Sequence, residues 1–333
     1  MEAPPFTIPR TLAAWQHRRR DVRRTLWALL GDLPPRPKRP RVHTLSREPR
    51  DGYVVERFEI DNGAGARVPG YLLLPAGASA TNRVPAILYH HWHGDEYDVG
   101  KEEIFQHRHT PDDPGPTLVQ RGYAVLAIDA YGFGERGGRG PGGAHERGRD
   151  EELSASKLNL WMGRTLWGMI VRDDLIALDY LCSRREIDTS RIGATGISMG
   201  ATRTWWLMAL DDRVAAGVAV ACLTRATNLV RHRALAEHGI YYYVPGLLQH
   251  FDTEAVIALI APRPALFLNG DRDPGSPVDG IRTIASVARD AYARYRQPSH
   301  FESRIYRGVG HEYTPDMWTR MLAWMDRWIG RQD

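Results

Sequence analysis

R-I-G-A-T-G-I-S-M-G, residues 191–200, is the stretch on which the fold turns. A short apolar run ends in Gly196-Ile197-Ser198-Met199-Gly200, and a helix-compatible stretch, Met199 to Leu210, follows. G-x-S-x-G between a strand and a helix is the pattern of a nucleophile elbow. The serine sits on a tight, strained turn, and small residues on either side let strand and helix approach closely. Ser198 is therefore the candidate nucleophile. The same pattern also occurs by chance in Gly- and Ser-rich loops, so the assignment depends on the rest of the chain supplying the other parts.

Upstream of the elbow, Thr11 to Leu30 has Leu12, Trp15, Val22, Leu26 and Leu29 near helical spacing, and Gly31 with the prolines at 34, 35, 37 and 40 ends the helix. Residues 1–40 read as an N-terminal helical extension, either a cap or oligomer contact or, more simply, a helix packed on the main domain. Gly52 to Ile60 and Arg67 to Leu74 are rich in β-formers around an Asp61-Asn62-Gly63 turn, an antiparallel start to a mixed sheet. Val84 to Tyr89 and Tyr123 to Ala130 are buried strands, with a helix at Pro116 to Gly122 between them and an exposed Gly- and Arg-rich loop after them, over residues 132–149. Leu153 to Ser183 suits one long helix or two in sequence, and the elbow strand is Asp188 to Gly196.

Downstream, Val214 to Ala221, Ala265 to Leu268 and Phe301 to Tyr306 are strands, and Val278 to Tyr295 and Pro315 to Ile329 are helices. The last carries Trp318, Leu322, Trp324, Met325 and Trp328 on its apolar side. Residues 223–260 hold short helical patches and Tyr241-Tyr242-Tyr243. An insertion walling a substrate pocket would look like this, and so would ordinary connecting structure. Buried strands alternating with helices predict an α/β fold: a mainly parallel central sheet with an antiparallel N-terminal start and helices on both faces. Residues 41–333 then form one catalytic domain.

Composition is ordinary for a globular chain of 333 residues: 43% hydrophobic and 25% charged. Three of the 44 basic side chains are lysines (Lys38, Lys101, Lys157) and the rest arginines, set against 40 acidic residues for a net charge of +4. Scattered arginines with that acidic balance argue against a nucleic-acid partner. Cys182 and Cys222 stand apart in apolar stretches, so free thiols are expected. No apolar run reaches 18 residues, and the N-terminus lacks the basic-then-apolar layout of a secretion signal, so no membrane partner and a cytoplasmic location are expected.

An alcohol nucleophile needs a base to take its proton and a carboxylate to hold that base in the right tautomer. With the nucleophile on an elbow, the chain order is serine, acid, histidine. After the Ala265 to Leu268 strand comes Asn269-Gly270-Asp271-Arg272-Asp273-Pro274, and after the last strand Gly308-Val309-Gly310-His311-Glu312. Both loops follow strands, at the edge where parallel sheets place their chemistry. His311 is the candidate base. Asp273 is preferred to Asp271 as the acid, because it lies three residues after the loop glycine and Pro274 stiffens the turn. Met199 supplies one oxyanion N–H at a helix N-terminus. The second is expected from His90-His91-Trp92-His93-Gly94-Asp95, with the Asp95 amide first and Trp92 in reserve. An acidic side chain there must point away from the oxyanion or pair with a base such as Lys101.

The same loop supports a rival. His90, His91 and His93, with His107 and His109, offer imidazoles suited to zinc. H-H-W-H lacks a partner carboxylate motif, however, and neighbours on a strand point to opposite faces, so no metal site is assigned.

Together these residues resemble the acetyl xylan esterase-like and dienelactone hydrolase-like α/β-hydrolases, close to the bacterial group called abhydrolase family 7. The resemblance runs through H-G-D-E-Y-D-V-G-K-E-E (93–103), D-A-Y-G-F-G-E-R (129–136), G-R-T-L-W-G-M-I-V-R-D-D-L-I-A-L-D-Y-L (163–181), residues 191–200, H-F-D-T-E (250–254), L-I-A-P-R-P (259–264), G-D-R-D-P-G-S-P (270–277) and G-V-G-H-E-Y-T-P (308–315). It implies the α/β-hydrolase fold, Ser198, Asp273 and His311 as a triad, and hydrolysis of small acyl esters without cofactor or metal. Two departures stand out: Asp95 replaces a second glycine after the His-Gly pair, and the loop at 137–150 has no counterpart. Trp92, Tyr131, Trp167 and the Tyr241 to Tyr243 run, Tyr242 foremost, are candidate pocket residues. The expected partner is a small-molecule ester, with a homo-oligomer left open. The same triad would also serve a lactone, amide, peptide, thioester or carbon–carbon bond, and a binding protein without activity would share the fold.

Overall fold

The computed structural model describes residues 2–330. In chain order the elements are α1 (Leu12–Leu30), β1 (Arg41–Arg50), β2 (Tyr53–Asp61), β3 (Arg67–Pro75), β4 (Val84–His90), α2 (Pro114–Gln120), β5 (Ala124–Ile128), α3 (Arg149–Trp161) and α4 (Leu166–Ser183). There follow β6 (Ile187–Ile197), α5 (Met199–Leu210), β7 (Ala216–Val220), α6 (Ala226–His232), α7 (Leu247–His250), α8 (Thr253–Ala258), β8 (Ala265–Gly270), α9 (Val278–Arg294), β9 (Phe301–Tyr306) and α10 (Pro315–Ile329).

The strands form a single nine-stranded sheet in the order β1-β2-β3-β5-β4-β6-β7-β8-β9. β1, β2, β3 and β5 pair antiparallel, and β5, β4, β6, β7, β8 and β9 run parallel. This is the α/β architecture the sequence predicts. The central strands are apolar throughout because both faces are covered. In β4, Val84, Ala86 and Leu88 face one core and Ile87 and Tyr89 the other, as period-2 alternation requires. The first core is closed by α1, α4, α5, α8 and α9, the second by α2 and α10. Among the described residues no helix is long and apolar enough to cross a membrane.

Some elements depart from the sequence reading. β1 is a strand where none was expected, because its side chains are almost all exposed and mostly charged or polar; backbone pairing with β2 holds it, helped by the partly buried Val42 and an Arg47–Glu56 ion pair. Charged residues and Pro49 are what an exposed edge carries to discourage further pairing. The 153–183 stretch is two helices. Gly163 adopts φ +70° after α3, and the Thr165 side chain then accepts the Gly168 amide at 2.8 Å to start α4. α1 buries Trp15, Val22, Leu26 and Leu30 in the main core, and Arg19 and Arg23 reach Asp212. Because the inner strands are parallel, the chain leaves β4, β6, β7, β8 and β9 at one edge of the sheet, where the candidate residues gather.

Candidate active site

Ser198 links β6 to α5 with φ 58° and ψ −117°, a left-handed conformation costly for any residue with a side chain. Its amide donates to the Val220 carbonyl at 2.9 Å, which fixes the turn to the neighbouring strand. The two flanking glycines answer a close approach. A Cβ on Gly196 or Gly200 would stand 2.3 or 2.0 Å from the His90 carbonyl oxygen, so only glycine lets α5 start against the end of β4. Met199 is the first residue of α5, where a helix leaves its N–H groups without intrahelical acceptors.

His311 and Asp273 stand on the loops after β9 and β8. Nδ1 of His311 lies 2.8 Å from Oδ2 of Asp273, and Oδ1 of the same carboxylate accepts the Gly275 amide at 2.9 Å. The Asp273 side chain is buried and that of His311 is 34% exposed, so this bond is partly desolvated and charge-assisted. Burial disfavours the imidazolium of His311, but the hydrogen bond and charge of Asp273 outweigh it and hold the His311 pKa above the ordinary histidine value. Asp271 is turned away. Its Oδ1 accepts the Gly308 amide at 2.7 Å and ties the two loops together.

Ser198, Asp273 and His311 border one cavity of about 470 Å³. Trp92, His93, Asp95, Tyr97, Arg149, Glu152, Leu153, His238, Ile240 and Tyr241 are among its walls. Of the aromatic residues expected there, Trp92 and, from the Tyr241 to Tyr243 run, Tyr241 line it. Tyr131 borders a separate cavity of about 500 Å³ and lies under the Arg136 guanidinium, 3.8 Å from its ring centre. Trp167 is fully buried against Trp206, Tyr241 and Tyr242, and Tyr242 stacks behind His238, ring centres 4.4 Å apart. The 223–260 segment does contribute to the wall, through residues 236–241. Sequence reading missed Glu152, whose place in the acidic first turn of α3 looks like ordinary helix capping, and His238, whose Nε2 is fixed on the Gly275 carbonyl at 2.9 Å.

The loop after β4 differs from expectation. Asp95 has φ 58°, and its amide donates to His93 Nδ1 at 3.1 Å. The Trp92 amide donates to Glu103 Oε2 at 2.9 Å, and the Tyr89 hydroxyl to Glu103 Oε1 at 2.6 Å. Both amides considered for the oxyanion are thus engaged within the loop. Burial pushes the Glu103 carboxyl up to about 7 against these two hydrogen bonds. The Asp95 carboxylate pairs with Arg149, Nε to Oδ1 at 3.0 Å, rather than with Lys101. That bond with Arg149 holds its pKa below the usual carboxylate value. Lys101 is instead sealed beneath the loop, its Nζ 3.1 Å from Asp129 Oδ2 and 2.6 Å from Glu135 Oε1. The 93–103 and 129–136 motifs therefore meet at one buried carboxylate.

The loop histidines diverge. His90 Nδ1 is 2.9 Å from Thr204 Oγ1, and because that hydroxyl donates to the Gly200 carbonyl, the imidazole is the donor. His91 donates through Nδ1 to the Trp92 carbonyl and accepts the Ala130 amide at Nε2. Burial holds both rings neutral. His93 faces Glu152, His107 faces Asp113 and His109 faces Glu96. Among the described residues no three His, Cys, Asp or Glu side chains are grouped to hold an ion.

Comparison with known proteins agrees with this architecture. The model of the Abhydrolase family matches residues 3–327. "Putative hydrolase YtaP" of Bacillus subtilis (strain 168) is 37% identical over 302 residues, spanning 87% of this chain and 96% of that protein. Among solved structures, a glucuronoyl esterase from Solibacter usitatus superposes with a TM-score of 0.71 at 17% identity, over 97% of this chain and 98% of its own. A "putative acetyl xylan esterase" from Bacteroides fragilis NCTC 9343 gives 0.69 at 20% identity, over 96% and 86%.

Proposed function

Because this chain belongs to the Abhydrolase family and is a hydrolase of the α/β-hydrolase fold, we propose that it is a serine-dependent carboxylic ester hydrolase. It works through Ser198, His311 and Asp273 on small acyl, acetyl-type esters. One observation carries the reading: a charge-assisted His311–Asp273 bond of 2.8 Å in the same cavity as a serine held at φ 58°.

His311 carries its proton on Nδ1, bonded to Asp273, which leaves Nε2 to accept the Ser198 proton. The Ser198 oxygen attacks the ester carbonyl and forms a tetrahedral oxyanion, which the Met199 amide and the α5 dipole stabilise. The Asp95 amide joins as second donor by exchanging its bond to His93 for the oxyanion. Collapse breaks the bond to the alkoxy oxygen, and His311 returns the proton to the departing alcohol. Water, deprotonated by His311, then attacks the acyl-enzyme, and the acid leaves with Ser198 restored.

The test is labelling by a fluorophosphonate together with p-nitrophenyl acetate turnover, in the native protein and in Ser198→Ala. Labelling and turnover should both vanish in the variant, a loss of about 10⁴-fold or more in kcat with the fold retained. Turnover surviving in Ser198→Ala would refute the reading.

A further inference from the structure

The second cavity, of about 500 Å³, shares Glu152 with the Ser198 cavity and none of the triad. Part of its wall is the Gly- and Arg-rich loop at 137–150 that sets this chain apart. Glu151, buried at the start of α3, pins that loop: its carboxylate accepts the Gly138, Arg139 and Gly140 amides at 2.7, 3.1 and 2.7 Å. Ala155 and Leu158 of α3, with Leu166 and Met169 of α4, give the cavity apolar surface.

Arginines supply its charge. Arg67 pairs with Glu59 at 2.8 Å, and Arg136 with Asp173 at 2.9 Å while it lies over the Tyr131 ring. Arg139 and Arg164 line the cavity too, and among the described residues neither has a carboxylate partner. Arg164 is nevertheless held in place. Its Nε donates to Asn159 Oδ1 at 2.7 Å, and Asn159 is itself buried and donates through Nδ2 to the Ala155 carbonyl at 2.8 Å. The guanidinium plane is thereby set, and both Nη groups remain free to donate. Arg172, which donates to the Asn62 carbonyl beside the 64–66 turn of the same wall, adds an Nη1 that is buried without a hydrogen-bond partner. Burial, with Arg36 and Arg164 nearby, holds the Arg172 pKa below the usual arginine value although Asp173 lies 3.7 Å away. The two lining carboxylates do not answer this charge, since Glu151 is occupied by three amides and Glu152 by His93 and Tyr97. An oriented guanidinium fork beside apolar surface matches a planar carboxylate carried on an apolar body. We propose that this second cavity binds a monoanionic aryl- or alkyl-carboxylate, its head group on the Nη groups of Arg164 and its body against Leu158, Leu166 and Met169. Binding there needs no turnover at Ser198.

The probe is phenylbutyrate, titrated by calorimetry into the native protein beside its neutral amide, phenylbutyramide, and beside acetate. The native protein should bind phenylbutyrate saturably and about 10- to 100-fold more tightly than either, the range for hydrogen bonds to a charged group. Arg164→Gln keeps a donor for Asn159 but loses the charge and the fork, so it should weaken phenylbutyrate about tenfold or more and leave the amide unchanged. Leu158→Glu guards against a folding failure at Arg164, because position 158 is already 40% exposed, and a carboxylate there should weaken phenylbutyrate about as much. Melting curves establish that each variant is folded. Ser198→Ala should bind phenylbutyrate as the native protein does; a loss there would put the probe in the catalytic cavity and overturn the proposal. So would the absence of saturable phenylbutyrate binding, an amide or acetate that binds as tightly, or either folded cavity variant binding phenylbutyrate with native affinity.

Discussion

Replacing Asp273 by asparagine tests the acid in a way the structure makes specific. The two oxygens of Asp273 have different clients: Oδ1 accepts the Gly275 amide at 2.9 Å and Oδ2 holds His311 Nδ1 at 2.8 Å. Asparagine has one oxygen. The Gly275 N–H can be satisfied only by that oxygen, so the NH₂ group turns to His311. It then donates to Nδ1, and the imidazole proton moves to Nε2, where a lone pair is needed to accept from Ser198. The wrong tautomer is thus built in, and kcat should fall about 10⁴-fold, the size known for this kind of change in a serine triad. Asp271→Asn keeps an oxygen for the Gly308 amide and should cost only a few-fold. The pH profile provides a second arm. Burial alone lowers the His311 pKa, and Asp273 raises it above the ordinary value. Native kcat/KM should therefore rise with pH through a midpoint above about 6.5, as His311 loses its proton, and the Asp273→Asn midpoint should move down. Stopped-flow or plate assays on p-nitrophenyl acetate from pH 5 to 9 read both, with pH limits chosen around roughly that midpoint. A loss under about tenfold in Asp273→Asn, or a larger loss in Asp271→Asn, would refute the argument.

Two further outcomes follow from the packing beneath the serine. Gly200→Ala drives a Cβ to 2.0 Å from the His90 carbonyl oxygen, so it should lose roughly 4 kcal/mol of stability together with activity; calorimetry showing an unchanged melting temperature would contradict the close approach. Arg203 on α5 and Asp174 on α4 are both fully buried and joined by bonds of 2.6 and 3.1 Å. Arg203→Met should cost about 3–5 kcal/mol in urea unfolding because Asp174 is left unpaired, and adding Asp174→Leu should recover most of it; a double variant as weak as the single one would rule this out.

The fold was legible because the inner strands are apolar on both faces and the helices carry apolar stripes. The order Ser198, Asp273, His311 was legible because a parallel sheet delivers its loops to one edge. Other features depend on information that periodicity does not carry. β1 is held by backbone pairing, and its exposed side chains give no pattern. Tyr131, Trp167 and Tyr242 have the composition of pocket residues, but the turn of each ring is set by neighbours distant in sequence. The loop after β4 could not be read by analogy, since its shape depends on Asp95 at φ 58° and on the Asp95 and Trp92 amides donating to the His93 and Glu103 side chains. Glu152 reaches the cavity from the first turn of α3, which starts just after Gly148 at φ 61°.

The left-handed backbone at Ser198 sets durability against reactivity at one position. A non-glycine residue held there costs of order 1–3 kcal/mol, which a glycine would not. Substituting glycine would therefore harden the protein against heat while removing its only proposed nucleophile. Sequence drift toward stability and sequence drift toward inactivity share a direction at this residue. Heat-resistant but silent descendants are consequently an easy outcome for this architecture, and screens for thermal tolerance that omit turnover would collect them first.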